Sequence, residues 1–153
     1  LHQLYSSDLQ RASDTAKAIA THCQLTPNLT TALRELRFGS LEGLRYAQLS
    51  TEQQGQLAKL YTQQIDLPCP HAESLTQLTH RLQTFIANLL QQPNQNHAVI
   101  SHGYTLKHLL HLLLGWSKQH MHLLELSNCS LTQLSYRQKK WQLIRLNQPV
   151  KLQ

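Results

Sequence analysis

The feature that most constrains the fold is a change of hydrophobic period within residues 97–114. Ala98-Val99-Ile100 is a short apolar run rich in β-branched residues, which is typical of a buried strand. From Tyr104 onward, leucines recur at helical spacing until Gly115. A glycine directly after such a pattern commonly ends a helix. The sequence therefore predicts that a strand passes directly into a helix at Ser101-His102-Gly103.

A strand-to-helix turn of this kind is suited to binding an anion. In open α/β sheets, ligands bind at the carboxyl ends of the strands. The free N–H groups and the positive end of the helix dipole favour negative charge there. His102 and Gly103 are the candidate contacts with that anion. A histidine at a strand end is also often an ordinary turn or surface residue, so the triplet alone leaves both interpretations open.

A second strand–turn–helix unit opens the chain. Leu4-Tyr5-Ser6 has the pattern of a strand end, and apolar residues at helical spacing then continue to about His22. Ser6, Ser7 and Asp8 are all suitable residues to cap this helix. Arg11 falls in its first turn.

The two units together indicate a phosphate site. If both strands lie in one parallel sheet, their turns face the same edge, and Arg11 approaches His102. The arginine offers a planar fork that matches phosphate oxygens, and the histidine offers a donor whose charge changes near neutral pH. Glu35 lies in the glycine-containing loop Arg34–Gly43 and is a candidate general acid–base group beside the phosphate. Each of the three residues taken singly could be an ordinary surface charge.

The rest of the chain alternates between helical and extended patterns. A loop is expected at 66–70, where two prolines stand close together, and residues 121–126 fit either a strand or an irregular segment. Helices are predicted over 46–63 and 73–90, an extended piece over 27–33, and an antiparallel hairpin over 131–136 and 141–146.

Composition narrows the classes of function. The 153 residues suit a single domain, 1–153, and the net charge of +6 suits an anionic ligand. Because no basic run is longer than Lys139-Lys140, nucleic-acid binding is not expected. No segment has the length and apolarity of a membrane span. Three widely spaced cysteines argue against a disulfide framework and favour a reducing, cytoplasmic location.

Histidine pairs raise the possibility of a metal site. His108 with His111, and His120 with His122, are close enough in sequence to suggest it. No cysteine or carboxylate stands at ligand spacing from them, so helix packing and surface positions are the preferred interpretation. We therefore expect neither a metal nor another cofactor.

Several motifs resemble those of one known family, and they occur in the same order along nearly the whole chain. Residues 5–16 resemble the Ser-Asp-Leu-x-Arg-Ala-x-x-Thr-Ala signature of the histidine phosphatase superfamily, the phosphoglycerate mutase-like proteins. Residues 34–43 resemble the loop that carries the family's acid, and residues 101–103 its second histidine motif. Glu73-Ser74-Leu75 with Arg81 and residues 128–132 resemble a helix start and a late strand, although Ala72 replaces a usual glycine.

The resemblance implies a fold and a set of roles. The fold would be a three-layer α/β/α domain around a mostly parallel sheet with an antiparallel edge strand. Arg11 would bind the transferring phosphoryl group, Glu35 would protonate the leaving oxygen, and His102 would hold the phosphoryl oxygens in the transition state. No metal or cofactor is implied.

The chain departs from the family pattern at one point. The family's nucleophile lies in an Arg-His-Gly motif upstream of the Ser-Asp motif, and no Arg-His-Gly occurs among these residues. None of the ten histidines is assigned that role. Because the sequence begins at Leu1, we expect an N-terminal segment with an interior strand to be missing. We expect residues 1–153 alone to be inactive and to fold poorly.

Three functions stay open from the sequence. The first is a phosphomonoesterase for a small phosphorylated metabolite, such as α-ribazole phosphate, working through a phosphohistidine. The second is a phosphoglycerate mutase, which is disfavoured because Leu36-Arg37-Phe38-Gly39 replaces the Arg-His-Tyr-Gly of the cofactor-dependent mutases. The third is a non-catalytic phosphate-binding module. A homodimer is possible in each case.

Overall fold

A computed structural model describes residues 1–92 and 94–150 of the chain. These residues form five strands and four α-helices, joined by short 3-10 helices and loops. The strands are β1 Gln3–Ser7, β2 Asn28–Thr30, β3 His97–Ile100, β4 Ser130–Arg137 and β5 Lys140–Pro149. The helices are α1 Gln10–Cys23, α2 Thr51–Gln63, α3 Leu75–Leu90 and α4 Gly103–Leu114.

The first three strands form a parallel sheet in the order β2-β1-β3. β1 pairs directly with β3, and Ser6 lies opposite Ile100 at the ends from which α1 and α4 continue. β4 and β5 form an antiparallel hairpin, which is a separate two-stranded sheet within the described residues. The prediction of an α/β fold with a mostly parallel sheet is thus confirmed. The antiparallel strands, which we expected at the edge of that sheet, form a hairpin of their own among the described residues.

β3 is less buried than its apolar sequence suggested. All four of its residues are half-buried. The strand pairs with β1 on one side and is the edge strand of the described sheet on the other. Part of its surface therefore remains accessible. Its two faces nevertheless contact different apolar clusters: Ala98 and Ile100 pack beside Leu4, and Val99 packs beside Phe85 and its neighbours.

The start of α1 differs from the prediction. The residue that precedes the helix is Leu9, and its side chain does not cap the first turn. Ser7 instead accepts a hydrogen bond from the Leu9 amide, and the Asp8 carboxylate pairs with Arg34. The capping candidates are therefore used to shape the turn and to bind a neighbouring loop. Arg11 lies in the first helical turn, as predicted.

The other helices follow local sequence signals closely. α3 begins at Leu75 because the Ser74 hydroxyl accepts from the Gln77 amide in a capping box. Its buried face consists of Leu75, Leu78, Leu82, Phe85 and Leu89. α4 ends at Gly115, whose φ of 66° is in the left-handed region that favours glycine.

Three predicted segments are subdivided in the structure. Residues 46–63 form a 3-10 turn, Tyr46–Gln48, followed by α2, because Ser50 caps a new helix. Residues 27–33 form β2 and a 3-10 turn, Thr31–Leu33. Residues 121–123 lie in a 3-10 helix, Lys118–Leu123, and residues 124–126 are irregular, so the segment forms no strand.

The main core lies between α3, α4 and the segment that precedes Glu35. Leu33 and Leu36 are almost completely buried there, on either side of that glutamate. The burial of both neighbours holds the intervening backbone against α4. Among the described helices, none combines the length and the apolarity needed to cross a lipid bilayer.

Candidate active site

Two strand ends bring the predicted site residues together. Because β1 and β3 are adjacent and parallel, α1 and α4 begin at the same edge of the sheet. The Arg11 Nε donates a hydrogen bond to the His102 Nδ1 over 3.1 Å, although the residues are 91 positions apart. The two turns that carry the predicted site residues thus lie side by side.

The hydrogen bond from Arg11 determines which tautomer a neutral His102 ring adopts. Since Nδ1 accepts, a neutral ring carries its hydrogen on Nε2. That Nε2 is buried and has no partner among the described residues. The residue is 8% exposed, and burial, followed by the positive charge of Arg11, lowers the pKa of His102, while Glu35 acts in the opposite direction. The neutral ring therefore presents Nε2 as a donor that has no acceptor within the described residues.

Two further groups at this edge can donate hydrogen bonds to an anion. Arg11 is exposed, and its terminal guanidinium nitrogens make no hydrogen bond within the described residues. Gly103 is the first residue of α4, and the space where a Cβ would project from it is open. The arginine fork, the His102 donor and the exposed amide of a helix N-terminus form an arrangement that suits phosphate oxygens.

Glu35 also lies at this edge, on the N-terminus of α4. Its Oε2 accepts from the Tyr104 amide at 3.2 Å. Its Oε1 accepts from the Thr105 amide at 3.0 Å, from the Thr105 hydroxyl at 3.0 Å and from the Leu36 amide at 2.9 Å. The carboxylate thus satisfies two amides of the first helical turn and is favoured there by the helix dipole.

The backbone around Glu35 is fixed by side chains from three elements. The Ser101 hydroxyl donates to the Leu33 carbonyl at 2.7 Å, and the Thr105 hydroxyl lies 2.8 Å from the Arg34 carbonyl. Arg81 of α3 donates to the Ala32 carbonyl at 2.6 Å. These contacts place the glutamate against the turn that contains His102.

Two ion pairs connect this loop to the rest of the site. Arg34 binds Asp8 through two nitrogens at 2.7 and 2.6 Å, and this hydrogen bonding lowers the pKa of the Asp8 carboxyl. The pair links the Glu35 loop to the β1–α1 turn. Glu73 binds Arg81 at 2.6 and 2.9 Å in a largely buried pair, and a Glu73 oxygen also accepts from the Arg37 amide at 3.3 Å.

The structure brings together all four residues that the sequence proposed for the site: Arg11, Glu35, His102 and Gly103. It adds supporting residues that sequence reasoning did not identify, namely Asp8 with Arg34, Ser101 and Thr105. For these supporting residues the sequence offers one local indication, which is that Thr105 is a polar residue on the apolar face of α4. Within residues 1–92 and 94–150, no three His, Cys, Asp or Glu side chains are arranged to hold a metal ion.

Known proteins share both the sequence pattern and the fold. The family model described as "Histidine phosphatase superfamily (branch 1)" matches residues 1–149. A relative from Yersinia pestis strain Pestoides F, named probable phosphoglycerate mutase GpmB, is 34% identical over 139 residues, which are 90% of this chain. The chain spans 65% of the length of that relative.

Solved structures agree with this relationship. A mycobacterial glucosyl-3-phosphoglycerate phosphatase, solved with inorganic phosphate, aligns with a TM-score of 0.81 and 28% identity over 96% of this chain and 77% of its own. The α-ribazole phosphatase of Shigella flexneri aligns with a TM-score of 0.82 over 99% of this chain and 76% of its own; at 23% identity this supports the fold alone. The chain belongs to the histidine phosphatase superfamily.

Proposed function

We propose that the intact protein hydrolyses a small phosphomonoester through a phosphohistidine intermediate. The observation that carries this proposal is the contact between Arg11 and His102. It leaves the buried His102 Nε2 and the terminal nitrogens of Arg11 without partners among the described residues. A buried donor without an acceptor costs about 1–3 kcal/mol. A phosphate oxygen would supply that acceptor, and such unpaired groups in native structures call for a functional explanation.

In the proposed reaction, Arg11 and His102 bind the oxygens of the phosphoryl group. Their donors stabilise the negative charge that these oxygens bear as the phosphoryl group transfers. Glu35, in its protonated form, gives its proton to the leaving oxygen, which retains the electron pair of the broken P–O bond. Water then attacks the phosphohistidine and releases phosphate.

The nucleophile in this proposal is a histidine outside residues 1–153. The family places it in an Arg-His-Gly motif, which these residues do not contain. We therefore propose that the 153 residues alone do not turn over substrate.

Hydrolysis is preferred to isomerisation because of the residues that follow Glu35. Leu36 is apolar and almost completely buried, and Phe38 has no hydroxyl group to offer a phosphoglycerate. Both side chains are therefore unsuited to holding a second acidic group of the substrate. The proposal includes α-ribazole phosphate as one candidate among small phosphorylated metabolites. A non-catalytic phosphate-binding module is the second candidate function.

The test is to incubate the intact protein with a labelled phosphomonoester and to quench rapidly. The proposal predicts a phosphoenzyme that survives alkali and is lost in acid, followed by release of inorganic phosphate. Return of the label to an isomerised product would identify a mutase. Phosphate binding without any phosphoenzyme, over a broad set of phosphorylated metabolites, would favour the binding module.

A further inference from the structure

Thr105 occupies an unusual position beside the proposed general acid. It lies in the first turn of α4 and is completely buried. Its hydroxyl oxygen is 2.8 Å from the Arg34 carbonyl and 3.0 Å from the Glu35 Oε1. A threonine hydroxyl has one hydrogen, so it donates to one of these two acceptors at a time or is shared between them.

The two oxygens of Glu35 are held very differently. Oε1 faces three donors, which are the Leu36 amide, the Thr105 amide and the Thr105 hydroxyl. Oε2 faces one donor within the described residues, the Tyr104 amide at 3.2 Å. A carboxylate oxygen has two lone pairs, so Oε2 keeps one for a proton, whereas Oε1 is fully occupied.

We propose that Thr105 is a positioning residue that holds Glu35 by Oε1 and leaves Oε2 to exchange the proton with the leaving oxygen. This inference rests on the proposed function for the role of the proton. Thr105 does not contact the substrate in this account. It acts through the carboxylate.

The hydroxyl group can serve both protonation states of Glu35. When Oε2 carries the proton, the carboxyl group is neutral, and the Thr105 hydrogen is free to point at the Arg34 carbonyl. When the proton passes to the leaving oxygen, the P–O bonding electrons remain on that oxygen and Glu35 becomes negative. The Thr105 hydrogen is then drawn to Oε1, because hydrogen bonds to charged groups are the stronger ones.

Other ionisable groups surround the same carboxylate. His102 adjoins α4, Tyr104 lies on α4, and Tyr61 lies on α2, and for each of these the charge of Glu35 contributes to the pKa. Arg11 and Arg81 also act on His102. A test of Thr105 must therefore distinguish the effect of its hydroxyl group from the effects of these neighbours. Replacing the hydroxyl group by a methyl group does this, because it leaves every neighbouring ionisable residue in the chain.

The test compares Thr105→Val with Thr105→Ser in the intact protein labelled with 13C at the glutamate carboxyl carbons. Residues 1–153 contain five glutamates, and the resonance lost in Glu35→Gln identifies residue 35. Valine keeps the shape and removes the hydroxyl group, so the charged carboxylate loses one donor. We expect the Glu35 titration curve to move to higher pH by about one pH unit in Thr105→Val. It should stay near its wild-type position in Thr105→Ser.

The other glutamate curves report whether each variant is folded. If Thr105→Val does not fold, Thr105→Ala removes the same hydroxyl and carries the same expectation. A Glu35 curve that is unchanged in the folded variant would overturn the proposal. This readout needs no turnover, so it separates an error about Thr105 from an error about the phosphatase activity.

A kinetic measurement completes the test in the active protein. The high-pH limb of kcat/KM reports the group that must be protonated in the free enzyme. We expect the midpoint of this limb to shift with the carboxyl resonance. It should move to higher pH in Thr105→Val and lie near its wild-type pH in Thr105→Ser. A uniform loss of rate with an unmoved limb would indicate a purely structural role and would contradict the proposal.

Discussion

A histidine that accepts a hydrogen bond from an arginine is favoured in its neutral form. In this chain the Arg11 Nε points at the His102 Nδ1, and both burial and that positive charge lower the pKa of the imidazole. A bound phosphate oxygen would accept from the Nε2 hydrogen of this neutral ring, because a second ring proton would have to sit on the Nδ1 that faces the Arg11 Nε. The contact with Arg11 thus fixes which ring nitrogen is offered to the ligand.

At the same scale, the role of Glu35 can be tested by replacing its carboxyl group. Glu35→Gln keeps the acceptor oxygen but cannot deliver a proton. In the intact protein we expect phosphoenzyme formation to fall most, by about 10²–10⁴-fold, for alkyl phosphates, which have poor leaving groups. Activated aryl phosphates should lose much less. Rapid-quench measurement on both substrate classes checks this, and equal losses would count against the acid role.

At the scale of elements, the loop that follows Glu35 depends on a close approach of backbones. Gly39 has a φ of +61°, and a Cβ there would lie 2.2 Å from the Pro70 carbonyl oxygen and 2.6 Å from the Ala72 nitrogen. The Ser40 amide also donates to that carbonyl at 3.1 Å. The contact holds the loop beside the entry to α3.

Gly39→Ala should therefore destabilise the protein through both the left-handed backbone and the steric overlap. Gly43 is the matched control, since its φ is +80° but nothing lies within 4 Å of the added Cβ. We expect about 1 kcal/mol for Gly43→Ala, from backbone conformation alone, and clearly more for Gly39→Ala. Urea unfolding of both variants measures the difference, and equal losses would show that the loop can move away from Pro70.

The packing of α4 against α3 has a separate pH dependence. His108 is completely buried, and its Nε2 lies 2.8 Å from the Thr79 hydroxyl oxygen. Burial, followed by the nearby His111, lowers the pKa of His108 from 6.5 to about 4. Since the unfolded chain binds this proton more readily, the stability from this residue is present above pH 6.5 and is lost as pH falls towards 4.

The expected loss between these pH values is about 3 kcal/mol. His108→Gln retains a donor for Thr79 and does not titrate, so its free energy of unfolding should fall less over the same interval. Denaturant unfolding at several pH values, with and without the substitution, measures the contribution. Parallel pH profiles for the two proteins would show that folding does not lower the pKa of His108.

The elements that could be predicted are those whose signals are local. The start of α4 is marked by the change of period at His102, its end by the glycine that follows it, and the start of α3 by the capping serine before it. Each of these signals lies within a few residues of the helix end that it determines. Contacts across the chain were not predictable in this way. Asp8 has the local character of a helix cap, yet it pairs with Arg34, because a bidentate partner 26 positions away is available only in the folded chain.

The same distinction applies to the candidate site. Arg11, Glu35 and His102 could be proposed because each stands in a recognisable motif. Their mutual geometry followed from the parallel pairing of β1 with β3, which was a reasonable assumption about the sheet. The capping of α4 by Glu35 had no such signal, since a carboxylate in a loop does not indicate which helix it will contact.

At the scale of the whole molecule, apolar side chains remain exposed around the hairpin. Leu131, Ile144, Leu146 and Val150 are 48%, 52%, 39% and 56% exposed. β3, with its four half-buried residues, likewise pairs with a described strand on one side only. Exposed apolar patches and unpaired strand edges favour association with other chains.

We therefore expect the 153 residues, expressed as they stand, to self-associate. Light scattering coupled to size-exclusion chromatography should show species larger than 17.6 kDa at micromolar concentration. Paired substitution of Ile144 and Leu131 by threonine should reduce the association, because it removes the exposed apolar surface while keeping β-propensity. A monomer that unfolds cooperatively would show that these surfaces do not drive association.

The central claim is that two distant turns share one anion, and anion binding tests it most directly. Titration calorimetry with vanadate or phosphate on the intact protein should give one site. Arg11→Ala and His102→Ala should each weaken it by roughly ten- to a hundredfold, since each removes a charge-assisted contact of about 1.5–3 kcal/mol. Lys17→Ala is the control, because Lys17 carries a positive charge on the same helix as Arg11 but pairs with Asp14. Unchanged affinity in either site variant, or an equal loss in the control, would contradict the shared site.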